Sequence, residues 1–339
     1  MAPVEMNEGK RHTVRLFRRE DAPQITKLFR AVYGDGYPAR FVYDPEKIIE
    51  AFEKGESYSI VAVMEDGSLA GQCSLFRSSP YRGLYENGAG LVLPQYRKMG
   101  INEDILDFIY KSKDLAARLG MEELWGEAVC NHVFMQKAVL RHGAVETALE
   151  VDLMPSEAYE KEKSAGGRVA AINSFICYRP RTMDIHAPRA YEDALAWIYG
   201  GLDDSRMIRP AAGELPGIAT VRDVQLLEFA RVARINVDEC GSDFRKSMEE
   251  LEEDLKVKNM AVTQVRLKLT KPWIGGAVEI LRSMGYFFGG PLPRWFDDDG
   301  LLMQKTHGTP DWEAIHLHSD RARRIRDLVF EDWRAVTGG

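Results

Sequence analysis

The stretch LVLPQYRKMGINEDILDFIYKSKDLAARLGMEELWGEAV, residues 91–129, decides the reading of this chain. An apolar strand runs into a short basic turn with one glycine, and a long amphipathic helix and a second strand follow. After Pro94, the turn Arg97-Lys98-Met99-Gly100-Ile101-Asn102 offers backbone N–H groups at a helix N-terminus. Unpaired donors and the helix dipole favour a phosphate there. Arg97 and Lys98 add cationic charge, and Gly100 lets the backbone come close to a bulky anion. The pattern is a diphosphate cradle and points to a nucleotide-derived cofactor. Its blander reading is a basic strand-to-helix turn with a capping asparagine.

Outside this stretch, 339 residues suggest about two domains. Hydrophobic content of 45% and charged content of 29% are those of a globular chain and exclude wholesale disorder. A net charge of −7 argues against a general nucleic-acid binder. Cys73, Cys130, Cys177 and Cys240 are scattered with no CxxC pair, so neither a zinc site nor a disulfide framework is expected and a reducing compartment fits. No apolar run is long enough to span a bilayer, and the polar start MAPVEMNEGKRH lacks a signal-peptide core. A cytoplasmic location is expected.

The first half reads as one α/β unit. TVRLF (13–17) is a short strand, and Asp21 precedes a helix carrying Ile25, Leu28, Phe29 and Val32 at helical spacing. Asp44-Pro45 caps and opens a helix that buries Ile48, Ile49 and Phe52. SYSIVAVME and SLAGQCSLF flank Asp66-Gly67, a hairpin turn signal. After the strand from Glu86 to Leu93 and the cradle, one helix is expected with Ile101, Ile105, Ile109 and Leu119 near one face, closed by Gly120. The strand ELWGEAVC, a helix from His132 to Arg141, and the strands VETALEVDL and AAINSFICYR around the polar loop PSEAYEKEKSAGGR complete the unit.

This order resembles the GNAT family of N-acetyltransferases, whose coenzyme A loop reads Gln/Arg-x-x-Gly-x-Gly/Ala. Arg97, Gly100 and Asn102 stand at its three defining positions, Asn102 in place of the usual Gly or Ala. The resemblance covers residues 12–182 and implies an α/β acyl-CoA N-acyltransferase fold, a mixed central sheet flanked by helices. It also implies acetyl-CoA as cosubstrate, a primary amine on a small molecule or peptide as acceptor, and no metal. The cofactor contacts implied are Leu91, Val92 and Leu93 along the pantetheine arm, Arg97, Lys98, Met99, Gly100, Ile101 and Asn102 around the diphosphate, and Asn131 and Gln136 in the block NHVFMQKAVLRHGA. Asn131 reads equally as a helix N-cap. Ala138 and Val139 stand where many members carry the tyrosine that protonates the departing thiolate.

Acetyl transfer to an amine needs a base for the amine proton and donors for the developing oxyanion. The base candidates are Glu86, eleven positions before Arg97, and Glu127 on the strand after the helix. Each also reads as an ordinary strand-end carboxylate. Tyr110 and His132 are candidate proton donors, alongside water. Cys130 with His132 as a thiol nucleophile is the weakest alternative, since residues so close along a strand end rarely face each other. An acyl-CoA-binding sensor or interaction protein without turnover is the alternative from another class.

The second half, residues 183–309, reads as the back of a second, degenerate GNAT-like unit. YEDALAWIYGGL is a helix, EFARVARINV a strand, DFRKSMEELEEDLKVKN a helix, VTQVRLKLT a strand, IGGAVEILRSMGY a helix and LLMQKT a final strand. Where a cradle should sit, Asp238-Glu239-Cys240-Gly241-Ser242-Asp243 would repel a diphosphate. DWEAIHLHSDRARRIRDLVFEDWRAV, within 310–339, reads as one terminal helix whose Ile315, Ile325, Leu328, Val329 and Trp333 could dock on the body or on a second copy of the chain.

Overall fold

A computed structural model describes residues 5–6, 11–37, 39–156 and 167–338. Packing groups the chain into two compact units, Met1–Gly126 with Ala138–Ala144, and Glu127–Lys137 with Val145–Gly339. The first carries β1 (Glu5–Met6), β2 (His12–Leu16), α1 (Ala22–Tyr33), α2 (Pro45–Glu53), β3 (Ser57–Met64), β4 (Leu69–Phe76), β5 (Leu84–Val92), α3 (Ile101–Lys111), α4 (Lys113–Leu119) and the start of β6 (Glu123–Val129). α5 (Phe134–Arg141) begins in the second unit and ends in the first. Strand order in the first unit is β1-β2-β3-β4-β5-β6. Every neighbouring pair is antiparallel except β5–β6, which is parallel. This mixed sheet with its helices has the element order that the GNAT resemblance implies.

Local chemistry explains much of it. Asp44 accepts from the Glu46 amide at 3.0 Å and caps α2. Asp66 accepts from Ser68 N at 2.9 Å while Gly67 takes φ 82°, which closes the β3–β4 hairpin. Ile25, Leu28, Phe29, Ile48 and Ile49 are buried together with Phe17, Val61 and Leu91. The single helix expected over residues 101–119 is two helices. Ser112 leaves helical geometry (ψ 98°), and its hydroxyl accepts from Leu115 N at 3.1 Å to start α4. A serine offering its own cap competes with the helix ladder, and here it wins. Gly120 is the left-handed C-cap expected, at φ 64°.

The second unit carries β7 (Val145–Met154), β8 (Val169–Cys177), β9 (Met183–Ala187), α6 (Glu192–Tyr199), β10 (Arg206–Pro210), β11 (Val221–Leu227), β12 (Val232–Glu239), α7 (Phe244–Val257), β13 (Val262–Lys268), α8 (Ile274–Ser283), β14 (Phe287–Leu292), β15 (Gly300–Thr306) and α9 (Asp320–Thr337). β7 and β8 form the expected antiparallel pair, and residues 157–166 of the loop between them lie outside the described residues. The order β4-β5-β6-β8-β7 recurs as β11-β12-β13-β15-β14. In both, helix joins two parallel strands, α3 with α4 in the first and α7 alone in the second, and one more helix precedes the closing antiparallel pair. A second, partial unit of the same topology is therefore present. EFARVARINV is not all strand: Glu228–Arg231 form a hairpin turn, with Arg231 at φ 55°, and the missed strand β11 pairs with β12. The terminal helix starts only at Asp320, because Ser319 caps it from Ala322 N at 2.9 Å. Ile315 is buried outside it, and Ala322, Ile325 and Val329 join the core of this same unit.

Two features of this unit carry stability predictions. Gly290 sits at φ 126°, and a Cβ there would lie 2.4 Å from Thr147 O and 2.6 Å from Ala148 Cα. Since those are backbone atoms, Gly290→Ala should cost at least ~2 kcal/mol, read as a lower urea midpoint at unchanged slope. The second feature is Glu150, 1% exposed. Asn173 Nδ2 donates to it at 2.7 Å and Arg234 reaches it at 3.1 Å. Burial alone would raise its carboxyl, but the guanidiniums of Arg234 and Arg266 more than offset that and hold it below the usual range. A lowered carboxylate pKa contributes stability that is present above the ordinary value and is lost as pH falls through the lowered one. Arg234→Met should therefore cost about 3–5 kcal/mol at pH 7. The deficit should shrink on acidification below the ordinary carboxylate range, because protonation then removes the stranded charge. Urea melts of both proteins at neutral and acidic pH check this.

Candidate functional site

β5 and β6 pair in parallel over only three positions, Leu84↔Glu123, Tyr85↔Leu124 and Glu86↔Trp125. Beyond Glu86, β5 runs on to Val92 with β4 as its only ladder partner among the described residues. The strand is also bulged. Cys73 alone on β4 faces Ala89 and Gly90, and Ala89 takes φ 53°. The sequence signal for this was Gly88-Ala89-Gly90, small residues inside a strand. Leu93 N donates to Ala70 O at 2.9 Å. Alternation along an antiparallel ladder then turns the Leu91 and Leu93 amides to β4 and the Val92 amide to the open edge. Of the three residues expected to line the pantetheine arm, Val92 presents its backbone.

Past this edge the chain makes one 3₁₀ turn, Pro94–Tyr96, and enters the cradle. Lys98 and Gly100 are both left-handed, at φ 68° and 78°. Arg97, Lys98, Met99, Gly100 and Asn102 are exposed, and Ile101 is buried as the first apolar anchor of α3. The amides of residues 98–100 make no backbone hydrogen bond among the described residues. Gly100 is the N-cap of α3, which has no side-chain cap, and a Cβ on Gly100 would meet nothing within 4 Å. The capping role considered for Asn102 is thus not filled, since Asn102 lies inside the helix. Two acids in the first turn, Glu103 and Asp104, oppose an anion. Asp104 is turned inward to His12 Nε2 at 2.8 Å, and Glu103 lies 3.6 Å from Arg141. The open donors and the two cations Arg97 and Lys98 make the turn fit a diphosphate.

Glu86 is half-buried at the last paired position of β5, where the edge opens. Aromatic residues that sequence reasoning missed lie beside it. The Tyr37 ring tilts against those of Phe29 and Tyr33, with centroids 4.8 and 5.1 Å away. Burial first, then the Tyr33 phenol and the Glu86 carboxylate, push the Tyr37 phenol well above its usual range. Tyr110 lies on the other side, its OH accepting from Asn87 Nδ2 at 3.4 Å. Burial raises its pKa, which keeps it protonated and makes it a poor donor to a thiolate.

The other expected site residues lie in the second unit. Glu127 is engaged by the Arg234 guanidinium, which also holds Glu150. Gln136, expected at the cofactor, is 2% exposed. Its amide donates to His132 O at 3.1 Å and His316 O at 2.9 Å, and its oxygen accepts from His318 N at 2.8 Å. Both amide edges are spent on loops. Asn131 and His132 are half-buried after β6, and His132 lines a cleft of about 480 Å³ with His316, Arg323 and Arg326. Val133, Phe134, Ile315 and Leu317 complete its lining, and the two arginines pair with Asp320 and Asp327. Burial pushes the Cys130 thiol up to about 12, so it is no ready nucleophile. At the degenerate cradle, β12 and β13 stay paired from Val232↔Val262 to Val237↔Leu267 and open no comparable edge. Lys268 and Lys271 pair with Asp238 and Glu239, and a Cβ on Gly241 would lie 2.0 Å from Ile218 O.

No family model matches the chain, and no curated protein matches it. Among solved structures it is similar to a ribosomal-protein-S5-alanine acetyltransferase from Vibrio fischeri, at 14% identity over 51% of this chain and 96% of that one, TM-score 0.41. It is also similar to YncA from Salmonella typhimurium, solved with its cofactor acetyl-CoA, at 16% identity over 53% and 98%, TM-score 0.40. A third is the spermidine/spermine N-acetyltransferase SpeG from Vibrio cholerae, at 15% identity over 49% and 92%, TM-score 0.39. Among the described residues no helix is long and apolar enough to cross a membrane.

Proposed function

We propose that this chain is an N-acetyltransferase of the GNAT type, moving an acetyl group from acetyl-CoA to a primary amine of a small molecule or peptide. The observation that carries this is the parting of β5 from β6 after Glu86, which leaves a bare strand edge leading straight into an uncapped basic helix start. A bare edge takes a strand-like amide chain such as pantetheine, and the uncapped turn takes the diphosphate that follows it. Acetyl-CoA supplies the activated thioester carbonyl. The open amides of residues 98–100 with Arg97 and Lys98 hold the diphosphate, and the Val92 amide donates to the carbonyl oxygen as it gains charge. Glu86, at the mouth of the edge, takes the amine proton directly or through water. The neighbouring tyrosine rings and carboxylate favour a cationic acceptor before it is deprotonated. Glu127 serves less well as the base, since its carboxylate is occupied by the Arg234 guanidinium. With Ala138 and Val139 where a tyrosine would stand, water protonates the leaving thiolate.

Within this reading, residues 183–309 form a degenerate second unit and 310–339 a C-terminal segment that packs on it, so one coenzyme A binds per chain. The test is calorimetry with acetyl-CoA beside a thiol-release screen of amines, polyamines, amino acids and peptides. Binding near one per chain with thiol release on one acceptor class supports the enzyme. Saturable binding with no release on any acceptor favours an acyl-CoA sensor, which the missing tyrosine motivates. No binding overturns both.

A further inference from the structure

Between α3 and the end of α5, three potential ligands converge. Glu103 and Asp107 lie four residues apart on α3 and so share a face. His142 follows α5, and its ring stacks on Tyr110 with centroids 5.1 Å apart at 22°. The imidazole side chain is 1% exposed, yet neither ring nitrogen has a hydrogen-bond partner. Both nitrogens lie near a carboxylate, Nδ1 3.3 Å from Asp107 Oδ1 and Nε2 3.9 Å from Glu103 Oε1. One ligand atom from each of the three lies within 4.8 Å of the others. Buried polar atoms are rarely left without partners, and an exception calls for an account.

We propose that Glu103, Asp107 and His142 form a binding site for one divalent first-row transition cation such as zinc, manganese or cobalt. Two carboxylate oxygens and one imidazole nitrogen form a donor set for these ions and a poor one for calcium or magnesium, which take all-oxygen shells. Around a cation bonded at about 2.0–2.1 Å, neighbouring tetrahedral ligands stand about 3.3 Å apart. The Asp107–His142 separation already has this value, and Glu103 closes by a rotamer change of a half-exposed side chain. Lys111, 2.6 Å from Asp107, and Arg141, 3.6 Å from Glu103, are the competing cations. Their side chains are 64% and 65% exposed, so both can swing into water when a metal enters. Three protein ligands leave the remaining positions to water.

The probe is cobalt(II), titrated into the full-length chain and followed by its visible d–d absorption, with zinc competition. One equivalent should bind, with no near-ultraviolet thiolate band. Asp107→Asn, at a half-exposed position that should leave the fold intact by circular dichroism, should weaken binding at least about tenfold, and His142→Gln at least as much. No d–d absorption, a thiolate band that places cobalt on a cysteine, or equal affinity in folded Asp107→Asn would each overturn the proposal. An imidazolium ion pair with the two acids and no metal gives the first of these results.

Discussion

Gly100→Asp should lower acetyl-CoA affinity by at least about 100-fold while the protein stays folded. The substitution is clean because Gly100 has φ 78° and ψ 0°, and a Cβ added there would meet nothing within 4 Å. Aspartate and asparagine are the side chains that best tolerate that left-handed conformation. What changes is the space and charge in front of the amides of residues 98–100. Hydrogen bonds to charged groups contribute about 1.5–3 kcal/mol each, so displacing a diphosphate from two donors costs ~3 kcal/mol or more. That is about two powers of ten in the dissociation constant. Gly100→Asn separates bulk from charge, and it should lose less than the aspartate at equal size. Calorimetry on both variants decides the matter, and a folded Gly100→Asp protein with wild-type affinity would show that the turn is no cradle.

Glu86→Gln should lower turnover by about 10²–10⁴-fold, the usual contribution of a general base, with acetyl-CoA affinity nearly unchanged. Glu86 sits at the far end of the bare β5 edge from the cradle, six residues before its last residue Val92, so its charge does not reach the diphosphate. Glutamine keeps the shape and removes the proton acceptor. The pH–rate profile, measured once the thiol-release screen has found an acceptor, is the discriminating readout. The acidic limb seen in the wild type should be lost in the variant. A Glu86→Gln enzyme with wild-type turnover and an unchanged acidic limb would make Glu86 an ordinary strand-end residue.

Much of the first unit was legible because its signals are local. Asp44 caps the helix that it precedes, Asp66-Gly67 makes the hairpin turn, and Gly120 takes the left-handed cap. The misreadings come from local signals that compete. Ser112 breaks the expected helix by capping a new one, and Ser319 caps a last helix that starts nine residues later than the apolar pattern suggested. β11, β14 and the parallel pair β9–β10 were missed because a short strand is defined by its partner's register and not by its own residues. The site divides in the same way. The left-handed turn proposed as the cradle was visible as Arg97-Lys98-Met99-Gly100, whereas Gln136 matched a family spacing but turned its amide to residues 316 and 318.

The sequence by itself determined the α/β class, the order of the first unit's elements and the glycine-containing turn that opens α3. Periodicity, caps and glycine conformations are all written within a few residues of where they act. Only the tertiary structure decided where β5 leaves β6, which amide of residues 91–93 faces the open edge, and that β12 and β13 stay paired as far as Val237↔Leu267. It alone paired Glu127 with Arg234 and brought His142 to Glu103 and Asp107. Those outcomes depend on where a ladder ends and on which charges meet across 35 to 107 residues of chain. Such encounters are set by how the sheets close and the helices pack, and no local pattern of residues encodes them.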